Sequence, residues 1–165
     1  MDIGCGSGQF LLLLSKYTNV VKLGGIEISE GLVKNARELL SSQTKTAFQI
    51  EMFNGTDIPD LASEFELLTL IDVFHHVNKG DQLNFIKELY GKMSKGSKLI
   101  FKDIDASSPF VYMNKLHDTF LGGGAGKEMS VSHAKEILTS SGFKILSISK
   151  KRMLWYPHYT IVCIK

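Results

Sequence analysis

The sequence has little cysteine and no long apolar run. Cys5 and Cys163 are its only two cysteines and lie far apart. Two such thiols do not make a disulfide framework, which points to a reducing, intracellular setting and a cytoplasmic protein. The longest apolar candidate, Phe10 to Leu14, holds five residues, against the roughly 20 that a bilayer span needs. The N-terminus lacks the basic-then-apolar pattern of a secretory leader. There is no internal repeat, no interdomain linker, and no His/Cys/Asp/Glu cluster at metal-ligand spacing. What remains is 165 residues, 44% hydrophobic, read as a single domain (1–165) large enough for a real core.

Charge is unevenly placed. Residues 1–90 carry 7 Lys+Arg against 12 Asp+Glu, net −5; residues 91–165 carry 12 against 5, net +7. A basic second half suits an anionic acceptor or nucleic acid. The plainer reading, a lysine-dotted solvated surface, is preferred, because the one tight cluster is Lys150, Lys151, Arg152.

Two hydrophobic periods alternate along the chain. "SGQFLLLLSKY" has helical spacing; "VVKLGGIEIS" is a short apolar run ending in an acid, as in a buried strand. Ser29 is placed to cap "EGLVKNARELLSSQ", Asp81 to cap "QLNFIKELYGKMSKG", and Ser130 to open "VSHAKEILTSSG". "TAFQIEMF", "FELLTLIDVF" and "SKLIFKDID" read as strands between these helices. Alternating strands and helices predict a parallel sheet covered on both faces. The end differs: "FKILSISKKRM" and "HYTIVCIK" follow one another with no helix between, which predicts an antiparallel hairpin at the sheet edge. An irregular segment from about Asp105 to Met129, containing "LGGGAG", reads as a lid or binding loop.

"DIGCGSG", residues 2–8, is a glycine-rich turn of the kind that lets a ligand approach backbone closely. Glu27 ends the next strand, 23 residues after Gly4, close to the roughly 20 expected of an acid that accepts from ribose hydroxyls. The two together imply a nucleoside cofactor. Gln9 stands where a dinucleotide fingerprint has its third glycine, and Asp2 would repel a pyrophosphate but attract an ammonium group.

With "GIEIS" and the later "LIDVFHHV", this turn resembles the class I S-adenosylmethionine-dependent methyltransferases, especially their small-molecule branch. The resemblance implies an α/β, Rossmann-like, open and mostly parallel sheet with helices on both faces and an antiparallel C-terminal hairpin. It implies S-adenosyl-L-methionine as cofactor and methyl transfer to a small-molecule oxygen, nitrogen or carbon. Carried over residue by residue, Asp2 and the backbone of Gly4, Cys5, Gly6 and Gly8 hold the methionyl part, and Glu27 with Ile28 holds the ribose side. Asp57 meets the adenine amine with Ile58 packed on the ring, Asn54 being the rival contact, and Asp72 faces the methionyl end and the acceptor. No membrane partner is expected, and nucleic acid is disfavoured: the Asn/Asp-Pro-Pro-aromatic motif, the Pro-Cys dipeptide and the paired-glutamate loop of other subclasses are all missing.

Methyl transfer is an in-line displacement with a neutral leaving group, so alignment supplies much of the catalysis, about 7–11 kcal/mol. A base is needed only for an acceptor protonated at the working pH. His76, beyond the fourth strand, and His117, in the 105–129 segment near Tyr112 and Asp118, are the candidates; only one of His75 and His76 should face the pocket if both extend the strand. Cys5 reads as a small residue in a crowded turn. The first strand of such a sheet is normally central and about five residues long, yet only Met1 and Asp2 precede the turn. The expectation is a longer polypeptide carrying the rest of that strand and an N-terminal helix. Two other classes stay open: a noncatalytic remnant that folds with a partner, and an NAD-dependent oxidoreductase. An RNA methyltransferase is a third alternative.

Overall fold

A computed structural model of the chain describes residues 1–105, 129–153 and 156–165. Among them, seven strands form one sheet: β1 (Asp2–Ile3), β2 (Lys22–Glu27), β3 (Ala47–Met52), β4 (Leu67–Ile71), β5 (Lys98–Ile104), β6 (Lys144–Met153) and β7 (Tyr156–Ile164). Their spatial order is β3-β2-β1-β4-β5-β7-β6. The first five run parallel, and β7 runs antiparallel to both neighbours. This is the expected architecture, including the hairpin at the edge.

Four α-helices lie among the described residues: α1 (Gln9–Tyr17), α2 (Glu30–Gln43), α3 (Gln82–Lys92) and α4 (Val131–Ser140). Two predicted caps form as the sequence suggests. Ser29 Oγ accepts from the Leu32 amide and Ser130 Oγ from the His133 amide, satisfying donors that the first helical turn leaves unpaired. Asp81 takes the N-cap position of α3 without a side-chain capping bond.

Two apolar layers sandwich the sheet. Leu11, Val33, Ala36 and Leu40 of α1 and α2 pack with Leu23 and Ile50 on one face. On the other, Phe85, Ile86 and Leu89 of α3 and Ala134, Ile137 and Leu138 of α4 pack with Leu68, Leu70, Leu99 and Phe101. The β5 pattern shows the logic: Leu99, Phe101 and Asp103 are buried, while Ile100, Lys102 and Ile104 on the opposite face are half-buried, the period of two that a pleated strand imposes.

Although β1 is only two residues long, it occupies the centre. Asp2 pairs with Gly25 and Thr69, and Ile3 with Ile26 and Leu70. The chain runs outward from β1 through β2 to β3, then returns to β4 on the other side. The β1/β4 boundary is therefore the topological switch point, where open α/β sheets leave a crevice beyond the strand ends.

Candidate active site

A cavity of about 540 Å³ sits at that switch point. Ile3 and Gly4 form one wall, at the end of β1, and Glu27 and Ile28 a second, at the end of β2. Phe53, Asn54, Gly55 and Thr56 follow from β3; Asp72, Val73 and His76 follow from β4; Asp81 and Phe85 come from the start of α3.

The glycine turn is held by geometry only glycine tolerates. The Gly4 and Cys5 amides both donate to the Ile26 carbonyl, at 2.8 and 3.0 Å. Gly4 has φ 74° and a Cβ there would lie 2.5 Å from Val73 Cγ2. Gly8 has φ 79° and a Cβ would lie 3.1 Å from Ala36 Cβ, where α1 and α2 converge. Both positions need the left-handed region and close approach at once.

Glu27 is the electrostatic centre of the turn. Its Oε2 accepts from the Gly6 amide at 3.0 Å, and its Oε1 accepts from the Ile28 and Ser29 amides at 2.9 and 3.0 Å. The carboxylate thus ties the glycine turn to the N-terminus of α2, where the helix dipole favours negative charge. Asp2 lies behind the turn rather than on the cavity wall. It is buried, and its Oδ1 accepts from Thr69 Oγ1 at 2.6 Å. Burial pushes its carboxyl up to about 6, although the Thr69 hydrogen bond pulls the other way. Cys5 is buried against Gly25, and burial raises its thiol to about 12; this is a packing residue, as expected, with no thiolate to offer.

Asp72 stands at the end of β4 in the left-handed region, φ 55°. Its Oδ2 accepts from Lys102 Nζ at 2.5 Å, while its Oδ1 is buried without a hydrogen-bond partner, 3.8 Å from His158 Nε2. A buried anionic oxygen of this kind fits the ammonium end of a methionyl group. His158, on β7, is therefore part of the site's surroundings.

Two expected adenine contacts are not brought to the cavity. Asn54 Oδ1 accepts from the Thr56 and Asp57 amides, and its Nδ2 donates to Asp57 Oδ2 at 2.6 Å. This turn folds the Asp57 carboxylate back onto its own loop. Ile58 is buried in the core, with its amide donating to Glu88 Oε1 at 2.6 Å. The cavity is met instead by Asn54, the rival, and by Phe53, which sequence reasoning missed. Phe53 packs edge-on against Phe85, centroids 6.3 Å apart, and its place directly after β3 was the available signal.

The two histidines do not extend β4. Phe74–His76 is a turn of 3₁₀-helix, so strand alternation does not separate their side chains. His76 lines the cavity, and His75 turns to Asp103 of β5. His117, with Tyr112 and Asp118, lies outside the described residues. Among the described residues no group of three or more His, Cys, Asp or Glu could hold a metal ion. No helix there is long and apolar enough to cross a membrane.

The family model for the Methyltransferase domain matches residues 1–148. The chain belongs to this methyltransferase family. The expected resemblance is thus borne out at the level of the class I methyltransferase domain, a family whose cofactor is S-adenosyl-L-methionine. A tRNA (guanine-N(7)-)-methyltransferase of Prochlorococcus marinus (strain AS9601) is 31% identical over 126 residues, 69% of this chain and 60% of that protein. A tRNA U34 carboxymethyltransferase of Campylobacter lari is 28% identical over 104 residues, 62% of this chain and 33% of that protein. The chain therefore spans about 60% or less of the length of these curated relatives. Magnesium protoporphyrin IX methyltransferase from Synechocystis PCC 6803, solved with bound SAH, superposes with TM-score 0.76 at 17% identity, over 99% of this chain and 72% of that one; at that identity the likeness is one of fold. The curated relatives correct one expectation. Both are named for tRNA, which overturns the reading of a small-molecule acceptor with nucleic acid disfavoured as partner.

Proposed function

We propose that the chain is the catalytic domain of an S-adenosylmethionine-dependent methyltransferase acting on tRNA. The observation that carries the reading is the switch-point cavity, with Glu27 and the Gly4 turn on its wall, in a chain whose curated relatives modify tRNA. The net charge of +7 over residues 91–165 supports a polyanionic acceptor.

The geometry supports the following roles. Glu27 accepts from the ribose hydroxyls in place of one or more of its present amide donors. Ile28 and Phe53 flank the adenine, and the Asn54 turn supplies polar edge contacts. Asp72 Oδ1 takes the methionyl ammonium, backed by Asp2 and by the close backbone of Gly4, Cys5, Gly6 and Gly8. S-adenosyl-L-methionine supplies a methyl group on a sulfonium that departs as a neutral thioether. The protein's task is to hold the acceptor in line with that methyl and keep water out.

Isothermal titration with S-adenosylmethionine and S-adenosylhomocysteine, followed by transfer of tritiated methyl to unfractionated tRNA, tests both halves. Expected are binding of both ligands, labelled tRNA, and RNA affinity that falls steeply with added salt. Binding of NADH instead, or methyl transfer that bypasses RNA, overturns the reading.

A further inference from the structure

The strongest unassigned feature is a line of three side chains leading from the cavity into the core. His76 lines the cavity. Its ring lies against that of His75, centroids 4.0 Å apart and planes 49° apart. His75 Nδ1 is 2.7 Å from Asp103 Oδ1, and the His75 amide donates to Asp103 Oδ2 at 3.0 Å. Asp103 Oδ1 also accepts from the Ile104 amide at 2.8 Å, and the residue is 1% exposed.

Asp103 belongs to the buried face of β5, which it shares with Leu99 and Phe101 before the buried Asp105 that follows the strand. A carboxylate in such a place is costly unless its hydrogen bonds are satisfied. Three donors meet this one, and two come from His75. It fixes both the backbone and the ring of a residue that stands behind His76 and is not itself on the cavity wall. A purely structural clamp for the 3₁₀ turn needs the amide contact alone. The ring contact fixes where the His75 proton sits and holds a flat surface against His76.

We propose that Asp103 and His75 are positioning residues that aim His76 as the proton acceptor for the methylated atom. This rests on the tRNA reading and departs from the Prochlorococcus relative in the atom methylated: guanine N7, for which that protein is named, has a bare lone pair and would leave His76 nothing to do, whereas a hydroxyl or an N–H acceptor uses it. In the step, the acceptor's X–H bond breaks and its proton passes to His76. The freed pair forms the X–C bond while the C–S pair leaves with sulfur, and solvent takes the proton from His76 afterwards. Other titratable groups bear on His76: Glu27, Asp72 and Asp81 share the cavity, and Lys102 of β5 and His158 of β7 contact Asp72. A pH profile therefore has to be read against variants.

The test uses the full chain with unfractionated tRNA and tritiated methyl donor. Wild-type kcat is expected to rise with pH through one ionisation. H76Q is expected to lose that ionisation and about 100-fold or more in kcat. D103N and H75A should lower kcat with KM little changed, and H75N, whose amide donates to Asp103 as the imidazole does, should recover part of the H75A loss. An H76Q enzyme with wild-type kcat and pH profile overturns the proposal. So does a D103N effect confined to thermal stability. If wild type labels no tRNA, it is the acceptor reading that fails. The arrangement is then judged by long-range ¹⁵N–¹H spectra of the imidazoles. His75 should carry its proton on Nδ1 in wild type and redistribute it in D103N, with His76 signals moving too; His76 signals unmoved by D103N refute the coupling.

Discussion

Replacing Asp2 with asparagine should stabilise the ligand-free protein and weaken its hold on the cofactor. Asp2 is buried, and burial raises its carboxyl from near 3.8 to about 6. A carboxyl whose folded pKa lies above its unfolded one favours folding in its protonated form. Its contribution is complete below about pH 4 and is lost as pH climbs through about 6. At 1.36 kcal/mol per pKa unit, the ionised form costs the fold about 3 kcal/mol at neutral pH. Asparagine keeps an oxygen for Thr69 Oγ1, which donates at 2.6 Å, and never ionises. Urea unfolding of wild type and D2N at about pH 4 and pH 7.5 separates the terms. The two should be nearly equal at the lower pH, and D2N more stable by up to about 3 kcal/mol at the higher. Calorimetric titration should show D2N binding S-adenosylmethionine more weakly at neutral pH, since the negative charge behind the glycine turn is gone. A D2N protein destabilised equally at both pH values would refute this account of Asp2.

Glu27→Gln should raise the dissociation constant for S-adenosylmethionine by 10-fold or more and lower stability by about 1–3 kcal/mol, because a carboxylate serving three amides becomes an amide; titration calorimetry and thermal melts read the two effects. Gly8→Ala should cost about 1–2 kcal/mol by forcing a side chain into φ 79° against Ala36, visible as a lowered Tm. Phe53→Ala should cost about 3–5 kcal/mol and weaken S-adenosylhomocysteine binding more than Asp57→Ala does, because Phe53 lines the cavity and Asp57 does not; equal losses in calorimetry would return the adenine contact to Asp57.

Local signals carried most of the architecture. Ser29 and Ser130 announced helix starts because capping is decided within four residues. Glu27 was legible because its distance from Gly4 is set by one strand-helix-strand unit. What local patterns do not carry is tertiary. Asp57 and Ile58 looked right by position, but the Asn54 side chain closes its own turn and the Glu88 carboxylate anchors Ile58. The step from β4 into a 3₁₀ turn moved His75 and His76 off the strand pattern. The His75–Asp103 contact joins residues 28 apart across two strands, a register that no linear pattern prints. The acceptor was misjudged because surface lysines have the same composition whether they meet water or phosphate.

Every described residue on the cavity wall falls within the first 85 positions. The wall of this chamber is thus drawn from one continuous stretch of the sequence. That stretch is not autonomous, because Lys102 of β5 and His158 of β7 meet the Asp72 carboxylate and Asp103 of β5 holds His75. A chimera joining this front portion to another enzyme's rear would have to retain those three side chains to keep the chamber's shape.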